Sequence, residues 1–139
     1  MKKKEVMEKG LALIDRSTIA MLGTNGTKGY PNIRAMIKME NEGLKRIWFS
    51  TNTSSKKVTQ LKSSLKACVY FVDLDKWMGL MLVGKIKILQ DPESKKRLWR
   101  EGFEKYYPLG VRDPDYSVLL FIVEQGSYYH SLAITNFKI

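Results

Sequence analysis
The sequence predicts a mainly β protein, a small antiparallel barrel of about six or seven strands with three peripheral α-helices. Three features carry that expectation. Short apolar runs recur along the chain, turn signals such as Asn25-Gly26 and Asn41-Glu42-Gly43 separate them, and helical periodicity is confined to three stretches. Consecutive antiparallel strands with few crossovers argue against a doubly wound parallel sheet. Closure into a barrel removes the edges that such apolar strands would otherwise expose.

Val6, Met7, Gly10, Leu11, Leu13 and Ile14 recur at helical spacing, so residues 1–15 read as an amphipathic helix ended by Asp15-Arg16-Ser17. A strand follows at 18–24, then a turn over 25–29, because Asn-Gly accepts positive φ at little cost. The second and third strands are placed at 31–39 and 44–51. Val58, Leu61 and Leu65 give the helix after Ser55 a narrow apolar stripe suited to a sheet edge or barrel mouth. Strands resume at 67–72 and 80–89, on either side of a loop over 73–77. Asp91-Pro92-Glu93 combines a capping Asp, a Pro in the first helical position and a Glu beside the positive end of the dipole. The helix starting there carries Leu98, Trp99 and Phe103 and stops near Tyr107-Pro108-Leu109-Gly110. Residues 118–123 read as a final buried strand, with 127–134 pairing with it. No repeat, linker or low-complexity tract interrupts the pattern, and residues 1–139 read as one domain.

Hydrophobic residues make up 44% of the chain and charged ones 27%, the balance of a globular domain and not of a disordered segment. No apolar run approaches the roughly 20 residues a membrane-spanning helix needs. The Met1-Lys2-Lys3-Lys4 start leads to Glu5, Glu8 and Asp15 instead of a signal-peptide core, so a cytoplasmic protein is expected. The single cysteine, Cys68, sits in a strand-like run and reads as a buried structural thiol. The net charge of +10 bears on partners rather than fold. Most lysines are dispersed, and a solvated basic surface explains them.

Lys56-Lys57 is the exception. In the run Trp48-Phe49-Ser50-Thr51-Asn52-Thr53-Ser54-Ser55-Lys56-Lys57 a strand hands over to a helix N-terminus through hydroxyl residues, with two cations in the first turn. Lysine there opposes the helix dipole unless an anion is present. Unpaired N–H groups, the dipole and two ammonium groups together suit a phosphate. From position alone a second reading stays open, an exposed capped helix with solvated lysines. Arg34, on the second strand, likewise reads either as an anion ligand or as a cross-strand partner for an acidic residue. Arg34 and Met36 share one face of that strand and Ala35 takes the other.

Three further motifs complete a pattern: Gly29-x-Pro31-x-x-Arg34-x-Met36, Trp48-Phe49-x-Thr51-x-x-x-Ser55-x-Lys57, and Leu82-Val83-Gly84-Lys85. A Trp99-bearing helix, the Tyr107-Pro108-Leu109-Gly110 and Asp113-Pro114-Asp115 turns and an apolar strand follow. In order and spacing these resemble the pyridoxamine 5′-phosphate oxidase-like flavoproteins, in particular the general stress protein 26-like branch, over nearly the whole chain. The resemblance implies an FMN-binding split barrel that works as a homodimer with FMN at the subunit interface. It also implies that Arg34, Ala35 and Met36 line the isoalloxazine edge, with Arg34 in reach of the phosphate side. Phe49, Ser50 and Thr51 would run along the flavin and ribityl chain, and Ser55, Lys56 and Lys57 would hold the 5′-phosphate. Trp77, with Met78 and Gly79, and Tyr129 or Tyr128 would approach the ring from the second subunit.

The oxidases proper carry a C-terminal segment of basic and aromatic substrate residues without an equivalent before Ile139. The resemblance therefore implies a flavin-dependent redox protein with a small-molecule substrate that it does not specify. No nucleophile elbow, Gly-rich dinucleotide loop or two-histidine metal motif is present, so if the chain is an enzyme a cofactor must carry the chemistry. Two alternatives remain at this stage. One is a barrel that takes deazaflavin or haem, although His130 is the only histidine; the other is a barrel that binds nucleic acid through Trp48, Tyr70 and Phe71 amid lysines.

Overall fold
A computed structural model describes residues 2–139. Helix α1 (Lys3–Arg16) buries Val6, Gly10, Leu13 and Ile14 along one stripe, as their spacing predicts. Its last carbonyls need donors from outside the helix. Lys38 supplies one, its Nζ donating to Ile14 O at 2.6 Å and to Asn41 Oδ1 at 3.0 Å. Burial there holds the Lys38 pKa below its ordinary value, against the raising effect of Asp15.

Seven strands form one antiparallel sheet. They are β1 (Ile19–Asn25), β2 (Pro31–Glu42), β3 (Arg46–Asn52), β4 (Lys66–Asp73), β5 (Met78–Leu89), β6 (Tyr116–His130) and β7 (Ala133–Lys138). Their order is β3-β2-β1-β4-β5-β6-β7, and pairing of β3 with β6 closes the first six into a barrel. Helix α2 (Lys56–Ser63) packs beside β1, and α3 (Pro92–Leu98) lies on β6. The predicted mainly β barrel with three helices is therefore the observed architecture.

Two features of the ladders split the barrel. One edge of β6 pairs with β3 over Tyr116–Ile122 and then passes to β7 over Gln125–His130, while its other edge stays on β5. The ladder between β2 and β3 runs from Glu42–Arg46 to Lys38–Phe49 and stops there. Beyond that point Arg34 and Met36 on β2 pair only with β1, and Thr51 on β3 pairs only with β6. The strands part at this end, and α2 begins at the opening.

Inside the barrel Leu22, Phe49, Phe71, Leu82 and Phe121 are fully buried. A second cluster, Trp48, Leu98, Tyr107, Tyr116 and Val118, lies under α3 and the turns that follow it. Alternation along β3 explains the division, since Trp48 and Phe49 point to opposite sides.

Several boundaries differ from the sequence expectation. Positive φ in the first hairpin falls on Gly29 (+82°) and not at Asn25-Gly26. β2 continues past Met39 to Glu42, with Gly43 making the turn at φ +54°. Asp91 caps α3 by accepting from Ser94 N, but the helix ends at Leu98, so Trp99 and Phe103 lie beyond it. Residues 118–123 and 127–134 are not two paired strands. β6 runs through both as far as His130, and its hairpin partner is β7. Leu65 is exposed beyond α2, and the buried stripe is completed by Gln60. Cys68 is half-buried on the outer side of β4, not in the core.

The β6–β7 hairpin turns on Ser131 and Leu132, both at positive φ (52° and 64°). Leu132 is 88% exposed, so its side chain contributes no packing to offset the left-handed backbone. Leu132→Gly is expected to raise stability by about 0.5–1 kcal/mol, the strain relief outweighing the added entropy of the unfolded chain. Urea denaturation of the two proteins measures it.

Candidate functional site
The opening between β2 and β3 is occupied by side chains that meet from four elements. Arg34, half-buried on β2, donates from Nη1 to Thr24 Oγ1 at 2.7 Å and to Leu22 O at 3.3 Å, and from Nη2 to Gln60 Oε1 at 3.4 Å. Thr24 Oγ1 in turn donates to Gln60 Oε1 at 2.6 Å. Lys57, in the first turn of α2, reaches across the opening and donates to Thr51 Oγ1 at 2.9 Å. Every one of these acceptors is neutral.

Two cations thus stand together without an anion. Neither Arg34 nor Lys57 takes part in an ion pair among the described residues. Burial lowers the pKa of Arg34. Burial first, and the Arg34 charge second, lower that of Lys57. The reading of Arg34 as a partner for an acidic strand residue is not what the structure shows.

The hydroxyl at the helix start points the same way. Ser55 is the N-cap of α2, yet its side chain makes no capping bond. Its Oγ is buried without a hydrogen-bond partner among the described residues. An orphaned hydroxyl of this kind costs free energy unless a ligand completes it. The exposed Lys56 lies beside it, on a hollow shared with Gln60 and the β1–β2 hairpin. Cations, a free hydroxyl and a helix N-terminus with no acid in its first turn form a donor set suited to a dianionic phosphate.

Other sequence candidates are distributed differently. The pleat separates Ala35, exposed on the outer face, from Arg34 and Met36 on the inner side. Phe49 is fully buried as a whole residue, between Lys38 of β2 and Leu119 of β6, so it is not open to a ligand and the expected flavin contact from it is not what the structure shows. Ser50 is half-buried and points away from Thr51, toward Tyr116 Oη at 3.4 Å, which leaves it backbone contact only. Trp77 and Tyr129 do not join the Arg34–Lys57 cluster of their own chain. They line a hollow of about 250 Å³ on the outer sheet face with Tyr70, Val72, Leu74 and Met78.

That outer face is apolar over four strands. Ala35, Met21, Tyr70 and Met81 sit side by side across β2, β1, β4 and β5. Ile19, Ile33, Ile37 and Val72 flank them, between 42% and 69% exposed. Gly79 gives Tyr70 its room, since a Cβ there would lie 2.0 Å from Tyr70 Oη. Of the aromatics expected to stack bases in the nucleic-acid alternative, Trp48 and Phe71 are buried, and Tyr70 belongs to this apolar face.

The model of the pyridoxamine 5′-phosphate oxidase-like family matches residues 5–138. The chain belongs to that family. A solved protein from Clostridium acetobutylicum, related to general stress protein 26 of B. subtilis and of the pyridoxinephosphate oxidase family, is 51% identical. The similarity covers 100% of this chain and 97% of that one, with a TM-score of 0.87. General stress protein 26 from Bacillus anthracis str. Sterne shares the fold at 18% identity and a TM-score of 0.77, over 96% of this chain and 99% of its own. A heme binding protein from Mycobacterium smegmatis does so at 14% identity and a TM-score of 0.79, over 99% of this chain and 60% of its own. No curated protein matches the chain.

In this pyridoxamine 5′-phosphate oxidase-like chain, sequence reasoning missed Thr24 and Gln60, which hold Arg34 in place. Gln60 carried a signal: it lies three residues after Lys57, on the same helix face, as a polar residue between the buried Val58 and Leu61. Thr24 carried none beyond its place in a strand.

Proposed function
We propose that this chain binds FMN and serves as a cytoplasmic flavin-dependent oxidoreductase for a small-molecule substrate, as a homodimer with the cofactor between subunits. The observation that carries the proposal is the Arg34–Lys57 pair, two half-buried cations with neutral partners only, beside the orphaned Ser55 hydroxyl. Membership of the oxidase-like family supports the same ligand.

In this reading Arg34, Lys56 and Lys57 neutralise the 5′-phosphate, and Ser55 Oγ donates to it. Gln60 and Thr24 fix the guanidinium so that it does not reorganise on binding. Thr51 and the backbone of Ser50 orient the ribityl chain, while Met36 and Ala35 form apolar walls on either side of β2. Bound FMN supplies hydride and electron transfer through its ring. The outer apolar face receives a second copy, which covers Ile33, Ile37 and Met21 and carries Trp77 and Tyr129 of one chain toward the ring held by the other. A patch of this kind marks an interaction surface.

A purified sample is expected to be yellow, or to acquire a flavin spectrum on addition of FMN. A colourless protein that leaves the spectrum of added FMN unchanged contradicts the proposal. Haem is the weaker reading: the only histidine, His130, lies at the opposite end of β6 from the residues that pair with Asn52 and Thr51.

A pH dependence follows from the lowered Lys57 pKa. Unfolding returns Lys57 to its ordinary value of 10.5, so between the two values the unfolded chain binds more protons. Stability of the FMN-free chain therefore rises with pH across that window. FMN affinity moves oppositely, because the phosphate needs the ammonium. Titrations from pH 7 upward are expected to show affinity falling before pH 10.5 is reached; an affinity constant up to that pH contradicts it.

A further inference from the structure
On the other side of β3 and β6, a hollow of about 400 Å³ opens between α3 and the turn at Gly110–Arg112. Gln90, Pro92, Lys95, Lys96, Val111 and Arg112 line it, three cations and no acid. Lys95 is the unusual member, because it is only 5% exposed. A lysine that deeply placed is normally paired with a carboxylate. Here Nζ donates to the neutral Asp113 O at 2.9 Å and lies 5.5 Å from the centre of the Tyr116 ring. The Asp113 carboxylate is turned elsewhere, accepting from Leu109 N and Asp115 N. Lys96 and Arg112 flank the opening, and among the described residues neither forms an ion pair.

We infer that this hollow binds a small organic phosphate, at a site separate from the Arg34–Lys57 cluster. Three positive charges match a phosphate dianion, and the Arg112 guanidinium adds a planar donor fork. The buried ammonium of Lys95, held by the Asp113 carbonyl and the Tyr116 ring, contributes its charge to the hollow from behind, while Lys96 and Arg112 supply the exposed donors. Inorganic phosphate alone does not fill a space of this size, and Val111 and Pro92 offer an apolar wall for a carbon skeleton. The two sites share no lining residue, so the inference does not depend on FMN binding.

The test uses the full-length protein, with amide NMR shifts followed during titration with ribose 5-phosphate, inorganic phosphate and ribose. Ribose 5-phosphate is expected to shift the amides of Lys95, Lys96, Val111 and Arg112, to bind more tightly than inorganic phosphate, and ribose to bind not at all. Arg112→Gln and Lys96→Gln, both at exposed positions, are each expected to weaken binding about tenfold while leaving the Ser55–Val58 amides responsive to phosphate. Shifts confined to Ser55–Val58 overturn the inference. So does equal affinity of the wild type and both variants. Binding of inorganic phosphate as tight as that of ribose 5-phosphate removes the organic part of it.

Discussion

Lys57→Met is expected to lower FMN affinity about 100-fold and, in the FMN-free protein, to raise the melting temperature. Both effects come from one imbalance. Lys57 and Arg34 repel each other and are partly desolvated, which is why the pKa of Lys57 is lowered. Removing the ammonium relieves that cost in the free chain and releases only the contact to Thr51. With phosphate bound, the same ammonium makes a charge-assisted hydrogen bond whose loss costs about 3 kcal/mol, or about two decades of affinity. Opposite signs are the diagnostic. A purely structural lysine would give a lower melting temperature, and a solvated one would change neither quantity. Arg34→Met is expected to cost at least as much affinity but to destabilise the free chain, because Thr24 Oγ1, Leu22 O and Gln60 Oε1 lose their donor. Thermal melts and FMN fluorescence titrations of the two variants separate the roles.

Met21→Glu is expected to divide the proposed dimer into single chains and to weaken FMN binding at least tenfold. Met21 lies in the middle of the row Ala35, Met21, Tyr70 and Met81. It is 38% exposed in the isolated chain, so a carboxylate there reaches water and the barrel still folds. Covered by a second copy, the carboxylate would be unpaired, and a two-fold interface repeats the cost on both subunits. Light scattering should give a mass near twice 16.1 kDa for the wild type and a mass near 16.1 kDa for the variant, with unchanged circular dichroism. A wild type of single-chain mass contradicts the interface. If the variant retains full FMN affinity as single chains, the cofactor does not lie between subunits.

The parts of this molecule that were legible in the sequence are those that local chemistry decides. Asp91-Pro92 predicts the start of α3, and the spacing from Val6 to Ile14 predicts the stripe of α1, because caps and periodicity act within a few residues. The position of Lys56-Lys57 behind Ser55 exposes the mismatch with the helix dipole before any fold is known. Less was legible where tertiary pairing decides. Glu124-Gln125-Gly126 resembles a break between strands, yet β6 runs through it because β5 pairs along one edge throughout and β7 takes over the other. The register of β2 on β3 is invisible locally, and with it the parting of the strands that makes room for Lys57. Phe49 and Ser50 adjoin Thr51 in sequence, but the direction of each side chain depends on which strand face the barrel encloses. Neighbours in sequence thus have separate surroundings.

Arg34, Ser55 and Lys57 are proposed to hold a phosphate, and comparing FMN with riboflavin tests this most directly. The two differ only in that phosphate. Isothermal titration of the wild type is expected to give FMN an affinity at least 100-fold above that of riboflavin, with the difference falling to about tenfold or less in Lys57→Met. Equal affinities of the wild type for FMN and riboflavin would rule out a phosphate site at Arg34, Ser55 and Lys57.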